Sequence, residues 1–208
     1  MITAEADLDA TLLDEPGSTT RRRILATAER SFREIGYQKT TVADIARALR
    51  MSPANVYRFF ESKKAINEAV VRHVMGEIEA MIADIACERR RPAGERIVAM
   101  IRALHADCLA RCTDNPRMHE MCEAAMTESW DVCRHHVARI GDVFVRVVED
   151  GNASGEFAVA DPDTTGRCVH VALARYCHPL LVGQLPNASA PPVEAMADLL
   201  VAGLRARR

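Results

Sequence analysis

Hydrophobic residues recur along most of this chain with the three- and four-residue spacing of an α-helix. The pattern is clearest in residues 40–66, where it stops at residues 50–53 and restarts on a new phase. Such an interruption predicts two short helices joined by a tight turn. The second of these helices carries a dense group of polar and aromatic side chains, namely Asn55, Tyr57, Arg58 and Phe59.

Capping residues predict where the first four helices begin, at Thr19 or Thr20, Thr40 or Thr41, Ser52 and Ser62. Gly36 is expected to end the first helix, and Pro53 takes the first position of the third, where a missing N–H is tolerated. The buried stripe of the first helix is predicted to consist of Leu25, Ala28, Phe32 and Ile35.

Breaks rich in Gly, Pro, Asp and Asn divide the rest of the chain into helices, which predicts an all-α fold. The fourth helix is expected to run to about Cys87, followed by helices over residues 95–112, 117–126, 129–149, 161–182 and 193–207. Pro179 is expected to bend or end its helix. We therefore predict a disordered tail (1–18), an N-terminal three-helix helix-turn-helix head (19–66) and a helical body (67–208), with the long fourth helix joining head to body.

The composition, 49% hydrophobic and 27% charged, is that of an ordinary globular protein. Residues 1–20 hold five acidic side chains and no basic one, unlike a signal peptide, and the longest uncharged run, residues 176–193, is broken by prolines. We therefore expect a cytoplasmic protein without a membrane span. Seven cysteines at irregular spacing argue against a disulfide framework in that reducing compartment.

The net charge of −2 conceals an asymmetry between head and body. Residues 19–64 hold eleven Lys/Arg and four Asp/Glu, a charge of +7, which leaves sixteen basic and twenty-five acidic residues elsewhere, a charge of −9. A basic head on an acidic body favours a head that meets a polyanion. Solvated helix faces are often basic too, so the charge alone leaves both interpretations open.

The stretch GYQKTTVADIARALRMSPANVYRFFESKKAI, residues 36–66, resembles the DNA-binding signature of the tetracycline-repressor (TetR) family. The matching positions are Gly36, Tyr37, Thr40, Thr41, Val42, Asp44, Ile45, Ala46, Ser52, Val56, Tyr57, Phe60, Ser62, Lys63 and Ala65. The resemblance implies a transcriptional regulator whose third helix enters the major groove of an operator. Arg50 stands where the family usually has glycine in the turn. Either its backbone adopts a positive φ, at a cost of about 1 kcal/mol, or the turn is slightly remodelled.

The resemblance also implies DNA contacts position by position. Residues 53–55 and Tyr57 match positions that face bases or the sugar-phosphate wall, and Asn55 can bond a base edge while the Tyr57 ring contacts a thymine methyl. Thr41 and Lys63 match phosphate contacts. The full predicted set is Thr41, Ser52, Pro53, Ala54, Asn55, Tyr57, Arg58, Phe59 and Lys63, above a core that includes Val56 and Phe60. Lys39 and Arg21, Arg22 and Arg23 are equally compatible with phosphate contact and with simple solvation.

The body resembles such regulators only in its helix count and order. In the family the last two helices pair with those of a second subunit, which implies a homodimer on a two-fold operator. The predicted interface residues are Val169, Ala172, Leu173, Tyr176, Met196, Leu199, Leu200 and Leu204. The alternative interpretation of the same stripes is a core within one chain.

The middle helices carry many methionines, cysteines and histidines, which suit either of two sensing chemistries. An adaptable apolar pocket for a small organic effector would be lined by Met100, Leu104, His105, Cys108, Met118, Met121, Cys122, Met126, Trp130 and Cys133. The alternative is a metal- or thiol-responsive site built from Cys and His residues on three consecutive helices. We expect the organic effector to release a repressor from DNA.

An enzyme is the competing class of protein, and its best candidate is a hydrolytic metal site near His119, Glu120, Cys122 and Glu123. The sequence contains no His-Glu-x-x-His, phosphate-binding glycine loop or Gly-x-Ser-x-Gly motif. We therefore predict no catalytic residues, no metal and no cofactor. A DNA-coating protein is a third class, and the acidic body disfavours it.

Overall fold

The computed structural model describes residues 16–113, 116–184 and 190–205, and this part of the chain is all-α, as predicted. Its helices are α1 (Pro16–Ile35), α2 (Val42–Ala48), α3 (Pro53–Tyr57), α4 (Lys63–Ala86), α5 (Ala93–Thr113), α6 (Pro116–Glu128), α7 (Trp130–Ala153), α8 (Pro162–Ala172), α9 (Ala174–Cys177), α10 (Pro179–Gln184) and α11 (Val193–Leu204). Within these residues, no helix is both long and apolar enough to cross a membrane.

The predicted caps of α2, α3 and α4 are confirmed. The hydroxyl oxygens of Thr41, Ser52 and Ser62 accept hydrogen bonds from the amides three residues later, at 3.1, 3.2 and 3.0 Å. Each bond satisfies one of the amides that a helix start leaves unpaired. Gly36 ends α1 with φ +101°, and its amide donates to the carbonyl of Phe32 at 3.0 Å.

Two predictions for α1 are wrong. The helix begins at Pro16, so neither Thr19 nor Thr20 caps it, and residues 1–15 of the predicted tail lie outside the described part. Its buried face contains Ile24 in place of Leu25, which is only partly buried, and Ile35 is 46% exposed. Successive residues on a helix point about 100° apart. An apolar stripe that is displaced by one residue therefore faces a different part of the structure.

The predicted helix over residues 161–182 begins as expected, with Asp161 as its cap, but it is broken into α8, α9 and α10. The second break falls at His178, whose ψ of 121° is extended. The ring of Pro179 disfavours helical backbone in the residue before it, which explains this break.

Two hydrophobic cores meet along α4. The head core is formed by α1 to α4 together with residues of α6 and α7, and it includes Phe32, Ile45, Val56, Phe60, Ile66, Val70, Met121, Ala125 and Cys133. The body core is formed by the second half of α4 with α5, α7, α8, α9 and α11, and it includes Ile82, Ile97, Met100, Ile140, Phe144, Leu173, Tyr176 and Ala197. The predicted boundary at residue 66 thus marks the end of the helix-turn-helix segment and not a gap between cores.

Candidate nucleic-acid interface

The turn between α2 and α3 has the hydrogen bonds of a Schellman motif. The Met51 amide donates to the carbonyl of Ala46 at 3.0 Å, and the Arg50 amide donates to that of Arg47 at 3.1 Å. Arg50 occupies the position that usually holds glycine, and its φ is 57°. Of the two alternatives for this turn, the positive φ is the one observed, and the Arg50 side chain stays exposed beside α3.

The five-residue helix α3 presents polar groups outward from an apolar base. Val56 is fully buried in the head core, as is Phe60 just after the helix, as predicted. On the other side, Ser52, Pro53, Ala54, Tyr57 and Arg58 are exposed, and Asn55 and Phe59 are half-buried. The predicted DNA-contacting side chains of α3 are therefore accessible together on one outer surface.

Thr41 is exposed, but its polar groups are already engaged at the start of α2. Its amide donates to the Asp44 carboxylate at 3.0 Å and its hydroxyl lies 2.5 Å from the same oxygen, which completes a capping box. These hydrogen bonds from Thr41 hold the pKa of Asp44 below its usual value. A phosphate contact by Thr41 stays a prediction, and it would compete with Asp44 for the same donors.

Lys63 lies at the start of α4 and reaches back to the turn between α1 and α2. Its ammonium donates to the carbonyl of Gln38 at 3.2 Å and lies 4.3 Å from the centre of the Tyr37 ring, a cation–π contact. Partial burial lowers the pKa of Lys63, a shift that the charge of Glu128 opposes. The side chain is half-buried and is held at the edge of the surface formed by α2 and α3.

Sequence reasoning missed Arg47 at this surface and left the role of Arg21 open. Arg47 is exposed on α2 and pairs with Asp44 at 2.9 Å. Arg21 donates from Nη1 to the carbonyl of Phe59 at 3.0 Å and lies 4.1 Å above the Phe60 ring, so it ties α1 to the end of α3. The position of Arg47 three residues after Asp44, on the same side of α2, is the signal that could have identified it.

The structure does not bring the predicted effector-binding residues together around one pocket. Met100 and Leu104 lie in the body core, Met121 and Cys133 lie in the head core with Met126 packed against it, and Trp130 is 59% exposed. His105 makes a 2.8 Å contact from Nδ1 to the carbonyl of Tyr176, Cys108 is buried, and Cys122 is half-buried. The Met118 side chain lies outside the described part. Contact of any of these residues with a ligand stays a prediction.

The side chains of Cys112 and His119, considered for a metal or thiol sensor, lie outside the described part. Among the described residues, no group of three or more His, Cys, Asp or Glu side chains is arranged to hold a metal ion. His136 is paired with Glu79 at 2.8 Å. Burial raises the pKa of the Cys133 thiol and raises that of Cys177 to about 11, which disfavours the reactive thiolate at both.

The predicted interface residues divide into two groups. Val169, Leu173, Tyr176 and Leu204 are buried in the body core of their own chain, and Met196 and Leu200 pack against that core. Only Ala172 and Leu199 are exposed, Leu199 to 68%, and Val171 beside Ala172 is exposed to 67%. The intramolecular interpretation therefore applies to most of the set, and the surface left for a partner is narrower than predicted.

A helix-turn-helix head with a basic outer face, joined through one long helix to a helical body, is the architecture of a DNA-binding transcriptional regulator. The family model of the bacterial regulatory proteins of the tetR family matches residues 24–70, and that of the tetracyclin repressor-like C-terminal domain matches residues 93–201. The chain belongs to the tetracycline-repressor family of transcriptional regulators.

Relatives and solved structures agree with this assignment. An uncharacterized HTH-type transcriptional regulator of Bacillus subtilis (strain 168), YhgD, is 26% identical over 148 residues, which are 70% of this chain and 75% of that protein. A TetR/AcrR-family regulator from Thermobifida fusca has a TM-score of 0.66 at 23% identity, covering 90% of this chain and all of the other. A TetR-family regulator from Pectobacterium atrosepticum has a TM-score of 0.67 at 22% identity, covering 92% and 96%.

Proposed function

We propose that this regulator is a repressor that binds a palindromic operator as a homodimer in the cytoplasm and is released by a small organic ligand. The observation that carries the proposal is the exposed polar face of α3 on a fully buried apolar base. Since the base fixes the helix, the side chains that would read DNA are held in place before binding, which lowers the ordering cost of the complex.

The proposed DNA contacts divide between bases and phosphates. Asn55 and Tyr57 face base edges in the major groove, where an amide can bond adenine and an aromatic ring can contact a thymine methyl. Arg58 and Lys63 contact phosphates on either side. The exposed Ser52, Pro53 and Ala54, with Thr41 and the half-buried Phe59, line the sugar-phosphate wall.

The proposed dimer uses apolar surface that the fold leaves uncovered on α8 and α11. Val171 on α8 and Leu199 on α11 are each about two-thirds exposed, and they lie on the helices whose apolar stripes the family resemblance assigns to a dimer. A two-fold dimer would place two heads on half-sites about 34–36 Å apart, one turn of DNA.

The proposed effector acts through α4, which belongs to both cores. This helix has 24 residues, a length of about 36 Å at 1.5 Å per residue, and carries Lys63 at one end and Ile82 near the other. A ligand that opens the body core around Met100 and Leu104 would tilt α4 and change the spacing of the two heads. It releases DNA only if it binds one spacing more tightly than the other. Burial raises the pKa of the Cys133 thiol, one member of the alternative thiol-responsive set, which disfavours oxidation at that residue.

Selection of bound duplexes from a random pool, followed by footprinting on the recovered DNA, tests the proposal. We expect enrichment of a palindrome and a short protected region with two half-sites one helical turn apart. A reporter gene placed downstream of that operator should be expressed more strongly when the regulator is deleted. Continuous protection of any DNA, or a pool that never enriches, would contradict the proposal.

A further inference from the structure

The end of α6 contacts the DNA-binding head through a pair of hydrogen bonds. The Tyr37 hydroxyl donates to Oε2 of Glu128 at 3.2 Å, and the Ser129 hydroxyl donates to the carboxylate of Glu68 on α4. Both bonds join groups more than sixty residues apart in sequence. They fix the C-terminal end of α6 against the turn between α1 and α2 and against the start of α4.

Tyr37 connects this contact between α6 and the head to the nucleic-acid interface. Its ring is only 4% exposed, stacks edge-on against Phe32 with 5.3 Å between ring centres, and lies below the Lys63 ammonium. One face of the side chain therefore supports a cation at the DNA-binding surface, while its hydroxyl is held by a carboxylate of the body. Lys63 also donates to the carbonyl of Gln38, the residue after Tyr37, so both of these contacts are with the turn that Tyr37 anchors, and the charge of Glu128 attracts the ammonium as well.

The protonation state of Tyr37 suits both of its contacts, with Glu128 and with Lys63. Burial, reinforced by the nearby Glu128 carboxylate, raises the pKa of Tyr37 to about 12, so the phenol remains a neutral hydrogen-bond donor at physiological pH. A neutral ring keeps its attraction for the ammonium, and a fixed ring restricts a lysine side chain that otherwise samples many rotamers.

We propose that Glu128 is a positioning residue for DNA binding, which acts through Tyr37 to hold the Lys63 ammonium where it meets a phosphate. The inference rests on the proposed phosphate contact of Lys63. It adds a route between body and head that does not pass along α4, because α6 also packs against α5 and α10. A movement of α6 would release Tyr37 and loosen Lys63 even if α4 stayed in place.

The experiment measures binding of the full-length protein to a fluorescent random-sequence duplex over a series of salt concentrations, so that it needs no known operator. Lys63→Ala should lower the slope of log K against log salt by about 0.9, the value for one phosphate contact. Tyr37→Phe keeps the ring and removes only the hydroxyl, and it should weaken binding about threefold, in line with the loss of one hydrogen bond. Its slope should change in the same direction as that of Lys63→Ala, by less.

A double-variant comparison separates positioning from a general structural effect. In the Lys63→Ala background, Tyr37→Phe should produce no further loss, because the group it positions is gone. In the background of Lys64→Ala, which removes the same charge at the next residue, Tyr37→Phe should still weaken binding about threefold. Glu128→Gln should bind more weakly than Glu123→Gln, a control that removes an equal charge from the exposed side of the same helix.

The outcomes separate a failure of the positioning role from a failure of the Lys63 phosphate contact on which it rests. Normal binding by Tyr37→Phe, or an equal loss in the Lys63→Ala background, would overturn the positioning role and leave the phosphate contact intact. Normal binding and an unchanged slope in Lys63→Ala would overturn both.

Discussion

The head and the body of this chain differ in how their structures are specified. In the head, the starts of α2, α3 and α4 fall at Thr41, Ser52 and Ser62, and each start is fixed by a hydrogen bond between residues three apart. In the body, apolar stripes predicted to share one pocket or one interface meet different partners. Short-range signals place a helix, but packing between residues far apart in sequence decides what its apolar face contacts.

The largest expected effect concerns Leu199 and Leu173, two leucines predicted to lie in one dimer interface. Leu199→Asp should separate the protomers, because the dimer would bury an unpaired carboxylate at a cost of about 3–5 kcal/mol. Sedimentation should show a folded monomer that binds the operator poorly. The matched change Leu173→Asp affects a side chain fully buried in its own chain and should give no folded protein. A stable Leu199→Asp dimer would place the interface elsewhere.

The next test asks whether α6 supports the head core, in which its Met121 is buried. Met121 of α6 and Met100 of α5 are both fully buried, one in each core, so replacing either by Ala should cost about 2–5 kcal/mol of unfolding free energy. Urea unfolding measures the loss. Hydrogen exchange distinguishes the cores: amides of α1 should exchange faster in Met121→Ala and not in Met100→Ala. Unchanged exchange in α1 would mean that α6 does not support the head.

A smaller effect is expected at the turn of the head. Arg50→Gly should raise the unfolding free energy by about 0.5–1 kcal/mol, because glycine adopts the observed φ of 57° without the clash of a β-carbon. Arg50→Ala removes the same charge but keeps the β-carbon, so it should not be stabilised. Both variants lose the Arg50 charge, so both should show the same change in the salt dependence of DNA binding. A difference between them would show that the backbone conformation of the turn affects DNA binding.

A further expected effect is a pH dependence at the contact between Tyr37 of the head and Glu128 at the end of α6. The pKa of Tyr37 is raised from its ordinary 10.0 to about 12 in the folded protein. The native state favours the protonated phenol, so its contribution to stability is complete below pH 10.0 and is lost as the pH rises toward 12. The stability difference between wild type and Tyr37→Phe should shrink over that window. A constant difference would mean that folding does not raise the pKa of Tyr37.

The same distinction between short-range signals and long-range packing explains which predictions from the sequence were accurate. The all-α class, the turn at Arg50 and the buried Val56 and Phe60 could be predicted because each depends on residues within one or two helical turns. The burial of Met121 in the head could not, since a stripe of Met and Ala reads the same whichever core it enters. The hydrogen bond between Tyr37 and Glu128 joins residues 91 positions apart, and neither residue alone signals it.

The central claim is that the exposed face of α3 reads the operator, and it is tested most directly by two variants on the duplex that wild type selects. Asn55→Ala and Tyr57→Ala should each cost about 1–3 kcal/mol of operator binding and relax the preference at one base pair, with the fold intact. Both should bind random-sequence DNA nearly as wild type does, whereas Lys63→Ala should bind both duplexes more weakly. Full operator affinity and unchanged base preference in both α3 variants would contradict the account.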